Sequence, residues 1–290
     1  MKKVSPRIRE FARRALQKKL SLEKNISNDL RVYFNRVSQS VLSNGLMPSV
    51  KSVIEDHNER VASKLIRTGK LNILRYKLVN HAVYNNKRLV ISHCTEIDRY
   101  TKELIARSKE VARELLTDKK TDEKGNTIAL EYKADSATLN KTASKVLANY
   151  NKNRIQGIAI TETNTLYESA NNDMFDQLQD DVDAAIDDND QEFLDSLDDM
   201  YDSLTFDEVR QKVSQGEDKD KIRGVVIAAM QTWITVGDDV VRDAHKDMEG
   251  QTVPVDEPFN CDGYDMYFPG DDSGGAPLEL WINCRCSVAR

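Results

Sequence analysis

Apolar residues recur at helical spacing from the start of the chain: Ile8, Phe11 and Ala15, then Leu30, Phe34, Val37 and Val41. This predicts helix over roughly the first 45 residues. After a turn at Asn44-Gly45 and Pro48 the same periodicity resumes through Val53, Val61 and Leu65, and Thr68-Gly69 breaks it again. Leu71 to Leu116 contains neither Gly nor Pro, and Ile105, Val111 and Leu115 keep helical spacing, so one or two long helices are predicted. Thr117 to Asn126 is charged and turn-like and reads as an exposed loop. Helices are predicted again over Ala134–Tyr150 and Ile158–Phe175, with a domain boundary near Lys152. Residues 1–151 would then form a helical domain and 152–290 a second one.

The pattern changes character in the second half. Asp173 to Glu208 holds fifteen acidic residues and no Lys or Arg, yet Leu178, Val182, Ala185 and Ile186, then Phe193, Leu197, Tyr201 and Leu204, keep a helical stripe. A pair of short amphipathic helices with a solvated acidic face accounts for this. The spaced ligands and Gly of an EF-hand are missing, which argues against calcium. The β-branched and aromatic end of Gly224–Thr235 predicts a strand at Thr232–Val236, and Gly237-Asp238 turns into a short helix, Asp239–Lys246. Extended pieces are predicted at Gln251–Val255, Asp265–Phe268 and Leu278–Val288, between Pro- and Gly-rich turns. The expected fold class is α+β: a long, mostly helical N-terminal half followed by a small α+β unit with a few short strands.

Charge divides the chain more sharply than the net value of -6 suggests. Residues 1–155 carry 33 Lys/Arg against 16 Asp/Glu, and residues 156–290 carry 9 against 32. Near the start, Lys2, Lys3, Arg7, Arg9, Arg13, Arg14, Lys18 and Lys19 are opposed only by Glu10. Such a helix suits nonspecific contact with DNA phosphates or with an acidic protein surface. A solvated helix face, or mutual neutralisation of the two halves, explains the same residues. Sequence-specific reading of DNA is not expected, because no recognition motif or aromatic interleaving accompanies the basic residues. No apolar run approaches the roughly 20 residues needed to cross a bilayer, and a signal-peptide core is missing, so cytosolic synthesis is expected. The four cysteines should then be reduced, with Cys94 a buried, inert thiol.

Chemistry gathers in the last sixty residues, which hold His245, Cys261, Cys284 and Cys286. In an extended segment Cys284 and Cys286 would point the same way, with α-carbons about 6.6 Å apart, and Arg285 would point the other way. Zinc in structural sites takes four Cys or His ligands, and these four residues supply that number to a small unit short of core. The alternative is two buried thiols beside a histidine that orients an Asp-rich turn. A catalytic reading takes His245 as base, Asp238 or Asp239 as its partner and a cysteine as nucleophile; no spacing brings these groups together, and no enzyme is expected. Asp256, Glu257 and Asp271 could join His245 in a carboxylate site, although turn chemistry explains them equally. Trp233, Phe259 and Trp281 are the expected core aromatics.

The order of five separated blocks is more specific than any one of them. They are Thr161-Glu162; Trp233 with Asp238, Arg242 and His245; Gly250 with Asp256-Glu257-Pro258-Phe259; Pro269-Gly270-Asp271; and Asn283-Cys284 with Cys286. Over about 130 residues, from Ile158 to Arg290, this resembles the phage Mu protein F-like head morphogenesis family of minor head proteins. The family's first block carries an Arg before Thr-Glu, where this chain has Ile160. The resemblance lapses at about 173–208, which reads as an acidic helical insertion. It implies a minor head (capsid) protein of a tailed bacteriophage. Such a protein is a virion component made in the host cytoplasm and located in the head interior or at the portal vertex. Its partners would be the portal protein, other head proteins and packaged double-stranded DNA. Its roles would be head morphogenesis and genome delivery. A toxin-like or enzymatic module built on His245 and the cysteines is the rival from another class, and a nonspecific DNA-binding virion protein is a third reading.

Overall fold

The structure is a computed structural model that describes residues 4–66, 72–121, 127–132, 134–201, 203–238 and 240–290. Lys2, Lys3, the Thr68-Gly69 break and Asp239 lie outside the described residues. Among the described residues ten helices and seven strands follow in order: α1 (Pro6–Ser43), α2 (Lys51–Leu65), α3 (Asn72–Asn85), α4 (Lys87–Leu116), β1 (Thr117–Thr121), β2 (Thr127–Tyr132) and α5 (Ser136–Asp188). Then come α6 (Gln191–Met200), α7 (Leu204–Ser214), α8 (Lys219–Ile227), β3 (Met230–Ile234), α9 (Asp243–Met248), β4 (Thr252–Pro254), β5 (Phe259–Cys261), β6 (Tyr264–Met266), α10 (Leu278–Trp281) and β7 (Ser287–Ala289). The α+β class holds, with a helical N-terminal half and short antiparallel strands toward the C-terminus.

Several local expectations need correction. The charged segment Thr117–Thr121 is not a loop but β1, paired antiparallel with β2, whose β-branched and aromatic residues supply a template; residues 122–126 of the expected loop lie outside the described residues. The helices expected over Ala134–Tyr150 and Ile158–Phe175 are one 53-residue helix, α5, which extends to Asp188 and so takes in the first part of the acidic stretch. No Pro interrupts it, and its single Gly157 costs only about 1 kcal/mol. The rest of the acidic stretch forms α6, capped by the Asp190 side chain on the Phe193 N–H, and the start of α7, capped by Ser203. The helix after β3 starts at Asp243 rather than Asp239, with Arg242 at its N-cap. Leu278–Val288 is not continuously extended: α10 opens it, Asn283 takes φ 51°, and only Ser287–Ala289 pairs as a strand. The extended piece expected at Asp265–Phe268 is β6, displaced toward the N-terminus by pairing with β5.

The chain divides into two compact units, neither continuous in sequence. One comprises Met1–Lys24, Asp56–Arg88 and Ile160–Arg290; the other comprises Asn25–Glu55 and Leu89–Ala159. Lys152 lies inside α5, and the division of that helix falls between Ala159 and Ile160, because the first turns of α1 belong with the C-terminal residues. In the second unit Asp98 of α4 accepts hydrogen bonds from Tyr33 Oη (2.9 Å), Ser49 Oγ (2.8 Å) and the Val50 N–H (3.1 Å). Arg154 stands over the rings of Phe34 and Tyr100 in the same unit, at 5.4 and 4.7 Å.

The first unit is organised on a polar stretch of α5. Thr161, Glu162, Thr163, Asn164, Thr165 and Glu168 are all buried, as are Leu166 and Tyr167 among them, so this stretch of the helix is enclosed on every side. Lys19 of α1, 0% exposed, meets it: Nζ lies 2.5 Å from Glu168 Oε1 and donates to Asn164 Oδ1 (2.7 Å), the Cys286 carbonyl (2.7 Å) and Ser287 Oγ (2.9 Å). Asn164 Nδ2 donates to the Pro269 carbonyl (2.9 Å), and Thr163 Oγ1 pairs with His57 Nε2 (3.0 Å). The central sheet runs β4-β3-β7, all antiparallel, and β5 pairs with β6 beside it. Gly270, at φ +99°, packs against Thr165, and an added Cβ would lie 2.7 Å from its Oγ1. On the acidic side of the unit, Phe175 stacks on Phe206 at 5.0 Å, and Tyr201 Oη donates to Asn171.

Removing one member of a buried ion pair strands the other, which costs about 3–5 kcal/mol. Lys19→Met should lose that much in denaturant unfolding, and Lys19→Met/Glu168→Leu should lose less than the single variant. A single-variant loss below about 1 kcal/mol, the range of exposed pairs, would show that the pair does not hold the unit together. Asp173 offers a pH test: burial and the neighbouring Asp176 charge push its carboxyl up from 3.8 to about 6. The unfolded chain therefore releases this proton first, and stability falls as pH rises from about 4 to about 6. Asp173→Asn should raise the melting temperature at pH 7 and leave it unchanged near pH 3.5; equal effects at both would refute the assignment.

Candidate metal centre

Three elements of the first unit converge on one buried point. β3 carries Trp233, α9 carries His245, and the segment between α10 and β7 carries Cys284 and Cys286. Trp233 is fully buried and meets His245 and Phe259 edge-on, at ring centroid distances of 5.5 and 5.4 Å. Gly250, at φ 74°, turns the chain from α9 toward β4 and donates its N–H to the Trp233 carbonyl (2.9 Å). Arg242 bonds the Ile282 carbonyl through Nη2, and the Asn283 N–H donates to Thr161 Oγ1 at 3.0 Å. These contacts fix the cysteine segment against α5 and α9.

His245 Nδ1 lies 3.5 Å from Cys284 Sγ and 3.6 Å from Cys286 Sγ. The three donor atoms lie within 4.8 Å of one another and are the group of three or more His, Cys, Asp or Glu able to hold a metal ion among the described residues. A tetrahedral ion with a metal–nitrogen bond of about 2.0–2.1 Å and a metal–sulfur bond of about 2.3 Å separates the two donors by about 3.5–3.6 Å. The observed separations fit. Arg285, between the cysteines, points elsewhere and forms a two-point ion pair with Glu23, at 3.0 and 2.9 Å. The alternation expected of an extended segment therefore survives, although residues 282–286 are not a strand.

Electrostatics favour one thiolate at this point, on Cys284. Burial opposes a charged imidazole, but hydrogen bonds to Cys261 and Cys284, and their charge, push His245 up to about 9. The hydrogen bond with Cys286 and the adjacent His245 hold the Cys284 thiol well below its ordinary range against burial. The same contact with Cys284, together with burial, holds the Cys286 thiol well above its ordinary range, so without a metal the pair shares one proton between its two sulfurs. Cys261 is 0% exposed and close enough to act on His245, but it does not share the 4.8 Å group, so the expected four-ligand set reduces to three. All four cysteines are free thiols.

The other sequence candidates separate by role. Asp271 is a turn residue: its two oxygens accept from the Tyr267 and Ser273 N–H groups (2.8 and 2.9 Å). Asp256 and Glu257 are exposed, Pro258 is half-buried, and Phe259 is core. Trp281 is partly buried against the cluster that includes Trp233 and Phe259, and Glu162 is buried in α5. Asp238 accepts from the Val240 N–H (3.2 Å), and His245 Nε2 has no hydrogen-bond partner among the described residues, so Asp238 does not orient the ring as the catalytic reading requires; Asp239, the other candidate, lies outside the described residues. Cys94 is buried in α4, in the other unit.

The basic helix also resolves residue by residue. Lys19 is enclosed in the Glu168 pair and reaches no surface, which removes it from the contact set. Arg7 pairs with Asp207 (2.7 Å), Arg9 with Glu249 (3.6 Å) and Arg13 with Glu10 (2.7 Å), and Arg14 and Lys18 are also engaged. Part of the charge division is thus neutralised within the unit, through Arg7, Arg9 and Lys19. Sequence reading missed Asn164 and Glu168; the signal was a polar run, Thr161 to Thr165, in a helix with no solvent face to spend it on. No described helix is long and apolar enough to cross a membrane.

No family model, curated protein or solved structure matches the chain.

Titration of the reduced, metal-free chain with Co2+ should saturate near one ion per chain, with thiolate-to-cobalt charge transfer in the near ultraviolet. Cys284→Ser or Cys286→Ser should cut that band by about half, and His245→Ala should weaken uptake. Absorption without sulfur character would place the ion elsewhere.

Proposed function

We propose that this protein is a minor head protein of a tailed bacteriophage, located in the head interior or at the portal vertex and acting in head morphogenesis and genome delivery. The observation that carries this reading is the convergence of the five sequence blocks of the Mu F-like signature on one small unit. Thr161 and Asn283 are 122 residues apart and share a hydrogen bond. The Pro269-Gly270 turn sits on Asn164 and Thr165, and Arg242 holds the residue before Asn283. His245, Cys284 and Cys286 complete the same point. Blocks that matched the family by chance would have no reason to meet. The missing Arg at Ile160 leaves any role of that residue in the family without a counterpart here.

The ion of the metal centre is zinc in this reading, since two soft thiolates and an imidazole suit it and require no redox chemistry. Its task is structural, fixing a unit whose strands are only three to five residues long. The portal protein and other head proteins are the partners, and packaged duplex DNA is contacted nonspecifically by exposed basic residues such as Arg7, Arg9 and Arg13. Exposed ion pairs contribute only about 0–1 kcal/mol, so phosphates can displace their carboxylate partners.

A second reading, an enzyme or toxin-like module with Cys284 as nucleophile, draws on the 3.5 Å approach of His245. Among the described residues it finds no orienting group at Nε2. The two readings differ in what a substitution does: His245→Ala or Cys284→Ser lowers the melting temperature of a structural unit as it loses metal affinity, but leaves an enzyme as stable as the parent and inactive.

Co-expression with the portal protein of the same phage should yield a complex that survives size-exclusion chromatography, and mass spectrometry of purified virions should detect the protein in few copies per particle. A protein absent from virions and unable to bind the portal would end the proposal.

A further inference from the structure

His245, Cys284 and Cys286 all line a cavity of about 280 Å³, whose wall is completed by Ile160, Val236, Asp238, Val240, Val241, Arg242, Asn283 and Arg285. A structural zinc site is closed by a fourth protein ligand. None of the other described carboxylates, histidines or thiols joins the three donors within 4.8 Å. Cys261 is fully buried in the apolar cluster with Trp233, Phe259 and Met266, and it is not part of the cavity wall. Asp238 is in the wall, but its carboxylate is engaged by the Val240 N–H.

From these positions we infer that the metal keeps its fourth coordination position for an exogenous small anionic donor, a carboxylate or thiolate, that enters through this cavity. The inference rests on the metal reading above and extends it from a closed clasp to a ligand-binding centre.

Three physical points support it. The nitrogen–sulfur separations of 3.5 and 3.6 Å match two edges of one face of a coordination tetrahedron, so an ion held by these three donors would need a fourth donor from outside the group. The space on offer is many times the roughly 30 Å³ of a water molecule, enough for a ligand of several heavy atoms. Charge favours an anion. A divalent ion with two thiolates and a neutral imidazole is electrically neutral, and Arg242 in the wall commits one N–H group to the Ile282 carbonyl and keeps further donors. Arg285 is neutralised by Glu23, so Arg242 is the cation available to an incoming anion.

The test uses the full chain loaded with Co2+, followed by visible absorption while azide is added as the probe anion. The expected result is a saturable change in the cobalt d–d bands with the thiolate charge-transfer band retained. In the same assay Cys261→Ser should leave charge-transfer intensity per cobalt unchanged. Cobalt bound through thiolate but insensitive to azide would overturn the open position. So would a loss of about one third of the charge-transfer intensity in Cys261→Ser, which would identify Cys261 as the fourth ligand. Failure of the chain to take up Co2+ with sulfur ligation would instead overturn the metal reading on which the inference stands.

Discussion

The buried ammonium of Lys19 is the interaction on which the first unit depends. It connects α1, the polar stretch of α5 and the segment leading into β7 at a single atom, through Glu168, Asn164, the Cys286 carbonyl and Ser287. A charge without solvent is tolerated only when every partner is in place, because desolvation of each ion costs several kcal/mol. That requirement turns a local contact into a constraint on three distant parts of the chain. It also explains why residues 161–165 and Glu168 of α5 are polar though buried: they are the counterpart of a cation and of turns that present backbone groups.

The candidate metal site is built on this frame. The carbonyl that Lys19 holds belongs to Cys286, so the ion pair positions the backbone of a cysteine whose sulfur faces His245 on the other side. Thr161 and Arg242 secure the preceding residues, Asn283 and Ile282. With β3, β4 and β7 only three to five residues long, the sheet alone offers little rigidity. Polar clasps and a three-residue His/Cys cluster add to the apolar core built around Trp233, Phe259 and Met266. The two faces of the cysteine segment thus serve different ends, one packed on α5 and one open to a cavity.

The charge division of the chain takes a different meaning at this level. Arg7, Arg9 and Lys19 meet Asp207, Glu249 and Glu168, all acidic residues of the second half of the sequence. Neutralisation within one unit explains part of the asymmetry without any partner. The exposed pairs remain weak enough for a polyanion to compete with them, whereas the buried one does not.

Helical periodicity determined α1, α2 and the existence of long helices before and after the hairpin, because an amphipathic stripe is a local property of sequence. The mixed C-terminal unit, its strand at Trp233 and the Cys284–Cys286 pair sharing one side were legible for the same reason. Where α5 would be continuous, that Thr117–Thr121 would pair as a strand, and that Leu278–Trp281 would be helical were not legible, since each depends on partners far away in sequence. The metal candidates were visible as residue types, but spacing could not select Cys284 and Cys286 over Cys261. Nor could composition distinguish Lys19 from its neighbours in a basic helix. That choice was made by tertiary structure, because only a folded environment can remove a lysine from water and supply a carboxylate in its place.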